Sequence, residues 1–212
     1  MTTLTPGSAL RSVMDPPPLV HLVDDNPAAA RLLGAAGFSV RTYRSPLEFM
    51  ATYDPDRPGC VVLEVAMPHL DGLSVQRLLH EQGGLHPVIF LSSGTHLPDV
   101  VRALKAGAVE FLGKPCDDAI LLDAVRDALE RDHRQRLARR RERLDRSRLG
   151  TLTEREHEVL GLVVSGRLNK QIAADVGISE RTVKFHRANL MDKLGTGSLA
   201  DLVRLATQMG LA

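Results

Sequence analysis

GCVVLEV at residues 59–65 places Cys60, Val61, Val62 and Leu63 in an unbroken apolar run ending on a carboxylate, Glu64. A run this short, valine-rich and without polar alternation reads as a strand covered on both faces, as strands of parallel sheets are. Similar runs stand on either side of it. LVHLVD (19–24) and FSVRTY (38–43) precede it, and PVIFLSS (87–93) and VEFLGK (109–114) follow. Between them lie stretches of helical periodicity: about 27–36, then SPLEFMATY, DGLSVQRLLHEQ and PDVVRALKAG, with a further helix starting near Asp117. The alternation predicts five βα units and a parallel sheet covered by helices.

In open sheets of this kind, ligands sit outside the carboxyl ends of the strands. Those ends carry Asp24 and Asp25, Glu64, Ser92, and Lys114 followed by Pro115. Carboxylates there suit a hard cation such as Mg²⁺, with Asp25 and Glu64 as oxygen donors, while Lys114 and the Ser92 hydroxyl suit an anionic oxygen group. Taken singly, each acid also reads as a turn residue or helix cap.

The chain has 212 residues, 43% apolar and 25% charged, which fits two domains of about 100 residues each rather than one. No apolar run approaches the roughly 20 residues of a membrane span, and the proline-bearing lead, residues 1–18, has no continuous hydrophobic signal. A cytoplasmic protein with no membrane partner is expected, with a disordered lead. Two cysteines, Cys60 and Cys116, are too few for a disulfide framework or a tetrahedral zinc site. Charge is uneven: residues 1–130 hold 10 basic against 16 acidic side chains, whereas 131–149 hold 9 arginines against 3 acids. An acidic front and a basic segment behind it suggest a regulatory or metal-binding half and an anion-seeking half.

VHLVDDN, VVLEVAMPHLDG, VIFLSSG and KAGAVEFLGKP, in this order and spacing, make residues 19–130 resemble a response-regulator receiver domain. The resemblance implies a flavodoxin-like (βα)5 fold and Mg²⁺ held by Asp25 with help from Asp24. It also implies a Ser92 hydroxyl that reports the state of the site, Lys114 paired into it, and an aromatic switch residue at Phe111. A cis Lys114–Pro115 bond is a further implication.

The sequence departs from the family at the phosphoacceptor position, where Glu64 replaces an aspartate. Glutamate extends its carboxylate about 1.5 Å further from the backbone, the length of one C–C bond. In-line phosphoryl transfer tolerates such displacement poorly, at about 10²-fold in rate per ångström. Three readings follow: a built-in mimic of the phosphorylated state, an inert pseudo-receiver controlled by another ligand or partner, or a residual acceptor in a conventional phosphorelay. The first helix is also about one turn short, which weakens the case for a cognate sensor kinase.

Residues 131–149, RDHRQRLARRRERLDRSRL, extend the helix from Asp117 as a basic linker, since no Pro or Gly interrupts before Gly150. Leu129, Leu137 and Leu144 form a thin seam on it that suits pairing of two helices in a homodimer; the other reading is a solvated, partly frayed arginine helix.

From Thr151 the pattern is wholly helical, in segments 153–165, 169–176, 179–194 and 197–209. Thr153 with Glu156 predicts a capping box, Ser179 an N-cap, and Gly177 a tight turn between two helices. Along 179–194, Val183, His186, Leu190 and Leu194 share the inward face, leaving Lys184, Arg187, Ala188 and Met191 pointing outward. Residues 150–212 resemble a LuxR-type helix-turn-helix, and with the receiver they resemble NarL/FixJ-type response regulators. This implies double-stranded DNA as partner, with Lys184, Arg187 and Ala188 reading bases and Phe185 flanking. Asn169, Lys170, Thr182 and Lys193 are expected on phosphates. RNA polymerase is a further expected partner. With aromatics at 3% and no Trp, single-strand stacking is disfavoured. The reading is a transcription regulator, not an enzyme; a Mg²⁺-dependent phosphatase using the acidic pocket lacks any separate base or substrate motif.

Overall fold

The computed structural model describes residues 16–24, 27–84, 86–94 and 96–211. Two compact units emerge, one within residues 1–136 and the other within 137–212.

The first unit is built on five strands: β1 (Leu19–Val23), β2 (Ser39–Tyr43), β3 (Gly59–Leu63), β4 (Val88–Ser92) and β5 (Glu110–Gly113). They form one parallel sheet in the order β2-β1-β3-β4-β5, the flavodoxin-like arrangement. Helices α1 (Pro27–Ala35), α2 (Pro46–Thr52), α3 (Gly72–Glu81), α4 (Leu97–Lys105) and α5 (Asp118–Leu149) alternate with them. Side-chain alternation splits the core between the two faces of the sheet. Val20, Leu22, Cys60, Val62, Ile89 and Leu91 pack with Leu33 of α1 and with Leu121 and Val125 of α5. Val23, Val61, Leu63, Val88 and Phe90 pack with Phe49 of α2, Val75 and Leu79 of α3, and Ala103 of α4. Burial on both faces is why β1, β3 and β4 read as continuous apolar runs, and β2 and β5, at the edges, do not. The order changes direction between β1 and β3, so the carboxyl ends of these strands and of β4 define the crevice.

α5 runs 32 residues without interruption, about 48 Å at 1.5 Å per residue. Leu137 and Leu144 are exposed on it, but Leu129 packs against the receiver core, so the expected leucine seam is shorter than its sequence spacing implied. The Lys114–Pro115 peptide is cis.

The second unit adds α6 (Glu154–Val164), α7 (Asn169–Val176), α8 (Glu180–Leu194) and α9 (Leu199–Gln208) around a core of Val159, Leu160, Ile172, Val183, Leu190, Leu194 and Leu202. Thr153 and Glu156 form the expected capping box, with the Thr153 amide donating to Glu156 Oε2 at 2.8 Å. Gly177 ends α7 in the left-handed region (φ 69°), where a side chain would strain the turn into α8, and Ser179 caps α8 by accepting from the Thr182 amide at 3.1 Å. Met191, expected outward, packs against this core; its position one residue after Leu190 still lies within the buried arc of the helix. Among the described residues no helix is long and apolar enough to cross a membrane.

Candidate functional site

At the carboxyl end of β3 the chain turns from Glu64 into α3. Gly72 makes the turn possible, because a Cβ there would lie 2.4 Å from the Glu64 carbonyl oxygen. Its amide donates to the Val65 carbonyl at 2.9 Å, and Asp71 caps α3 by accepting from the Ser74 amide at 2.8 Å. The loop is thereby held tight around the Glu64 side chain, which is buried.

Six donors converge on the Glu64 carboxylate. Oε1 accepts from the Ser92 hydroxyl at 2.7 Å and from the amides of Val65 at 2.8 Å and Ala66 at 3.3 Å. Oε2 accepts from Lys114 Nζ at 3.0 Å and from the Ser93 amide and hydroxyl at 3.1 and 3.3 Å. Lys114 Nζ also donates to Asp24 Oδ2 at 2.5 Å, so the two carboxylates share one ammonium. Burial opposes the Glu64 charge, but the hydrogen bonds from Ser92 and Lys114, the Lys114 charge and the Ser93 amide outweigh it and hold the carboxyl below its ordinary range. Burial likewise opposes the Lys114 charge, and Asp24 and Glu64 together hold its pKa above the ordinary range.

The structure thus brings Asp24, Glu64, Ser92 and Lys114 together; Asp25 lies outside the described residues. Ser93 was not singled out from sequence; the signal available was only the Ser-Ser pair at the end of the apolar run. Phe111 is partly buried and stacks on Phe90, with ring centroids 5.6 Å apart.

Of the residues expected to hold Mg²⁺, Asp24 and Glu64 share the Lys114 ammonium, and Asp25 lies outside the described residues. An ionised carboxylate offers about four lone-pair sites, and the Glu64 oxygens already accept from six donors, one of them the Lys114 ammonium. Among the described residues no group of three or more His, Cys, Asp or Glu is placed to hold a metal.

In the second unit, Lys184, Phe185 and Ala188 lie exposed on α8, and Lys170 on α7. Arg187 Nη1 donates to Asn169 Oδ1 at 2.6 Å, joining two residues expected to act separately. Thr182 Oγ1 lies 2.8 Å from Ser179 Oγ at the cap of α8. Lys193 differs in setting from the other basic residues. Its Nζ donates to Glu156 Oε2 at 2.6 Å and to the Thr151 carbonyl at 3.2 Å. The hydrogen bond from Lys193, with those from Thr153, holds the Glu156 carboxyl down to about 2.

Comparison with known proteins matches each unit to a family. Residues 20–126 match the response regulator receiver domain, and residues 150–206 match the bacterial regulatory proteins of the luxR family. The chain belongs to the response regulators that join a receiver to a LuxR-type helix-turn-helix. It is 39% identical over 198 residues to nodulation protein W of Bradyrhizobium diazoefficiens, spanning 92% of this chain and 87% of that protein. To the response regulator protein TodT of Pseudomonas putida it is 38% identical over 206 residues, spanning 95% and 91%. Among solved structures, the response regulator StyR superposes with a TM-score of 0.83 at 39% identity, covering 91% of this chain and all of that one. This response regulator is accordingly a DNA-binding transcription regulator, of a family whose members are regulators rather than enzymes.

Proposed function

We propose that this response regulator works without phosphorylation, with Glu64 standing in for the phosphorylated state. The observation that carries the reading is the set of partners on the Glu64 carboxylate. Ser92, the Ser93 amide and Lys114 are donors from the ends of β4 and β5, the groups suited to an anionic oxygen cluster beyond β3. The extra methylene of glutamate carries its charge to them. Glutamate supplies one negative charge and two acceptor oxygens against about −1.5 to −2 and three for a phosphoryl group, so the bias it sets is weaker than that of a phosphate.

In this reading the receiver is held permanently toward its output state. A homodimer presents two helix-turn-helix units to a duplex, and RNA polymerase is the downstream partner. Lys184, Arg187 and Ala188 address base edges with Phe185 flanking them, while Lys170 and Thr182 face the backbone. Lys193 contributes positive charge there only to the extent that Glu156 leaves it unneutralised. A sensor kinase has no acceptor aspartate to serve at position 64.

The test is fluorescence-anisotropy binding, at fixed salt and without phosphodonor, to a site selected from a random DNA library. Native protein binds selectively, and Glu64→Gln, neutral and nearly isosteric, loses affinity by tenfold or more, about 1.4 kcal/mol. Equal binding by Glu64→Gln defeats the mimic reading and leaves a receiver controlled by another ligand or partner.

A further inference from the structure

Arg187 reaches from the middle of α8 to the first residue of α7, where its Nη1 donates to Asn169 Oδ1 at 2.6 Å. Both side chains are half-buried. The amide orientation is fixed by chemistry: a guanidinium only donates, so the Asn169 atom facing it is the oxygen. Arg187 uses one Nη1 hydrogen in this bond. Its Nε–H and the Nη2 hydrogens remain as a two-donor edge that no acceptor among the described residues engages.

We infer that Asn169 is a positioning residue that holds the Arg187 guanidinium so that its Nε/Nη2 edge reads a guanine, rather than being chiefly a phosphate contact. The inference rests on the DNA-reading role of α8. A guanine presents O6 and N7 to the major groove, and two donors in a rigid fork match them. A long side chain held only at its root samples many rotamers and loses that freedom on binding. A second anchor on the guanidinium removes part of the loss and fixes the plane of the fork. Asn169 suits the task because it opens α7, which packs directly against α8 through the shared core of Ile172, Val183 and Leu190.

The two roles for Asn169 separate experimentally, because a phosphate repels a carboxylate and a guanidinium attracts one. Full-length protein is used to select a duplex from a random library, and affinities are then measured at fixed salt for every single-base variant of that duplex. Arg187→Ala identifies the position where discrimination is lost. At that position Asn169→Ala lowers discrimination by at least tenfold, while affinity for unrelated duplex changes less than twofold. Asn169→Asp, which keeps an acceptor for Arg187, retains discrimination within twofold of native, and circular dichroism shows both variants melting as native protein does. Uniform weakening by Asn169→Asp on all duplexes, or equal loss of discrimination in the Asp and Ala variants, overturns the inference. Relaxation at no position in Arg187→Ala overturns it too. Failure of native protein to select any sequence removes the DNA-reading role itself along with it.

Discussion

Ser92 and Glu64 are joined by a hydrogen bond of 2.7 Å in the interior of the receiver, with the serine hydroxyl donating and no part of the serine exposed. The hydroxyl has one proton and two acceptors in reach, Glu64 Oε1 at 2.7 Å and the Gly94 carbonyl at 3.0 Å; the shorter bond to the charged oxygen takes it, and the Ser92 lone pairs accept from the Gly94 amide at 3.3 Å. The charge at position 64 and the conformation of the loop after β4 are therefore a single coupled state. If that state supports DNA binding, Ser92→Ala lowers affinity for the selected duplex by several-fold, and the Ser92→Ala/Glu64→Gln double variant loses less than the product of the single losses. A double-mutant cycle by anisotropy measures the coupling, expected at about 1.5 kcal/mol, the low end for a hydrogen bond to a charged group. Strict additivity would mean that the two residues do not act through each other.

Incubation with a small phosphodonor and Mg²⁺ leaves the intact mass of the native protein unchanged by mass spectrometry, under conditions that add one phosphoryl group to an aspartate-bearing receiver run in parallel. The reason is positional. The Glu64 oxygens are occupied by Ser92, Ser93 and Lys114, and on the proposed reading the extra methylene, about 1.5 Å, carries the carboxylate past the position from which an aspartate would attack in line. Stoichiometric phosphorylation at Glu64 would restore the phosphorelay reading.

The parallel sheet and the strand-end cluster were legible because both faces of β1, β3 and β4 are covered, which forces uninterrupted apolar runs and puts the chemistry where each run stops; the strand order came from the family resemblance alone. The capping box at Thr153 and the turn at Gly177 were legible for a related reason: local geometry demands those residue types at fixed spacing. What could not be read were partnerships between charged residues distant in sequence. The arginine-rich segment looks solvated throughout, yet Asp132 within it is buried and accepts from the Gly59 amide at 2.9 Å. Arg136, one turn on, donates to Asp132 at 2.8 Å and to the carbonyls of Asp56 at 2.7 Å and Arg57 at 2.7 Å. Composition gives no hint that these two of the segment's twelve charged residues are docked. Likewise, Lys193 and Arg187 look like any basic residues of a DNA-binding helix until Glu156 and Asn169 are seen against them.

That docking predicts a stability effect. Asp132→Ala leaves the Gly59 amide without its acceptor and the Arg136 guanidinium without its carboxylate, costing about 3 kcal/mol, at the lower end for breaking a buried pair because Arg136 keeps its carbonyl partners. Asp132→Asn, which retains an acceptor, costs less. Urea denaturation of the full chain, following the transition of the receiver unit, ranks native above Asp132→Asn above Asp132→Ala. Indistinguishable midpoints would show that the pair contributes nothing net.

Acid destabilises the receiver through His21. This side chain is 2% exposed, its Nδ1 lies 2.8 Å from the Tyr43 hydroxyl, and its Nε2 is buried without a partner among the described residues. A second ring proton would have nothing to accept it there. Burial, reinforced by the charges of His86, Arg57 and Arg41 and opposed only by Asp54, lowers the His21 pKa to about 4. The unfolded chain, with an ordinary histidine near 6.5, binds more protons than the folded one between these values, so stability rises with pH across that window. The contribution is fully present above about pH 6.5 and is lost as pH falls toward 4, on the order of 3 kcal/mol in all. His86, also lowered chiefly by burial, acts in the same direction. Calorimetric melting at a series of pH values should therefore show the receiver transition falling steeply between pH 6.5 and 4, and His21→Phe should reduce that slope by up to about 1.4 kcal/mol per pH unit, the worth of one proton. A variant whose slope matches the native one would mean that His21 is already charged in the folded protein, and that the buried ring finds an acceptor for its second proton.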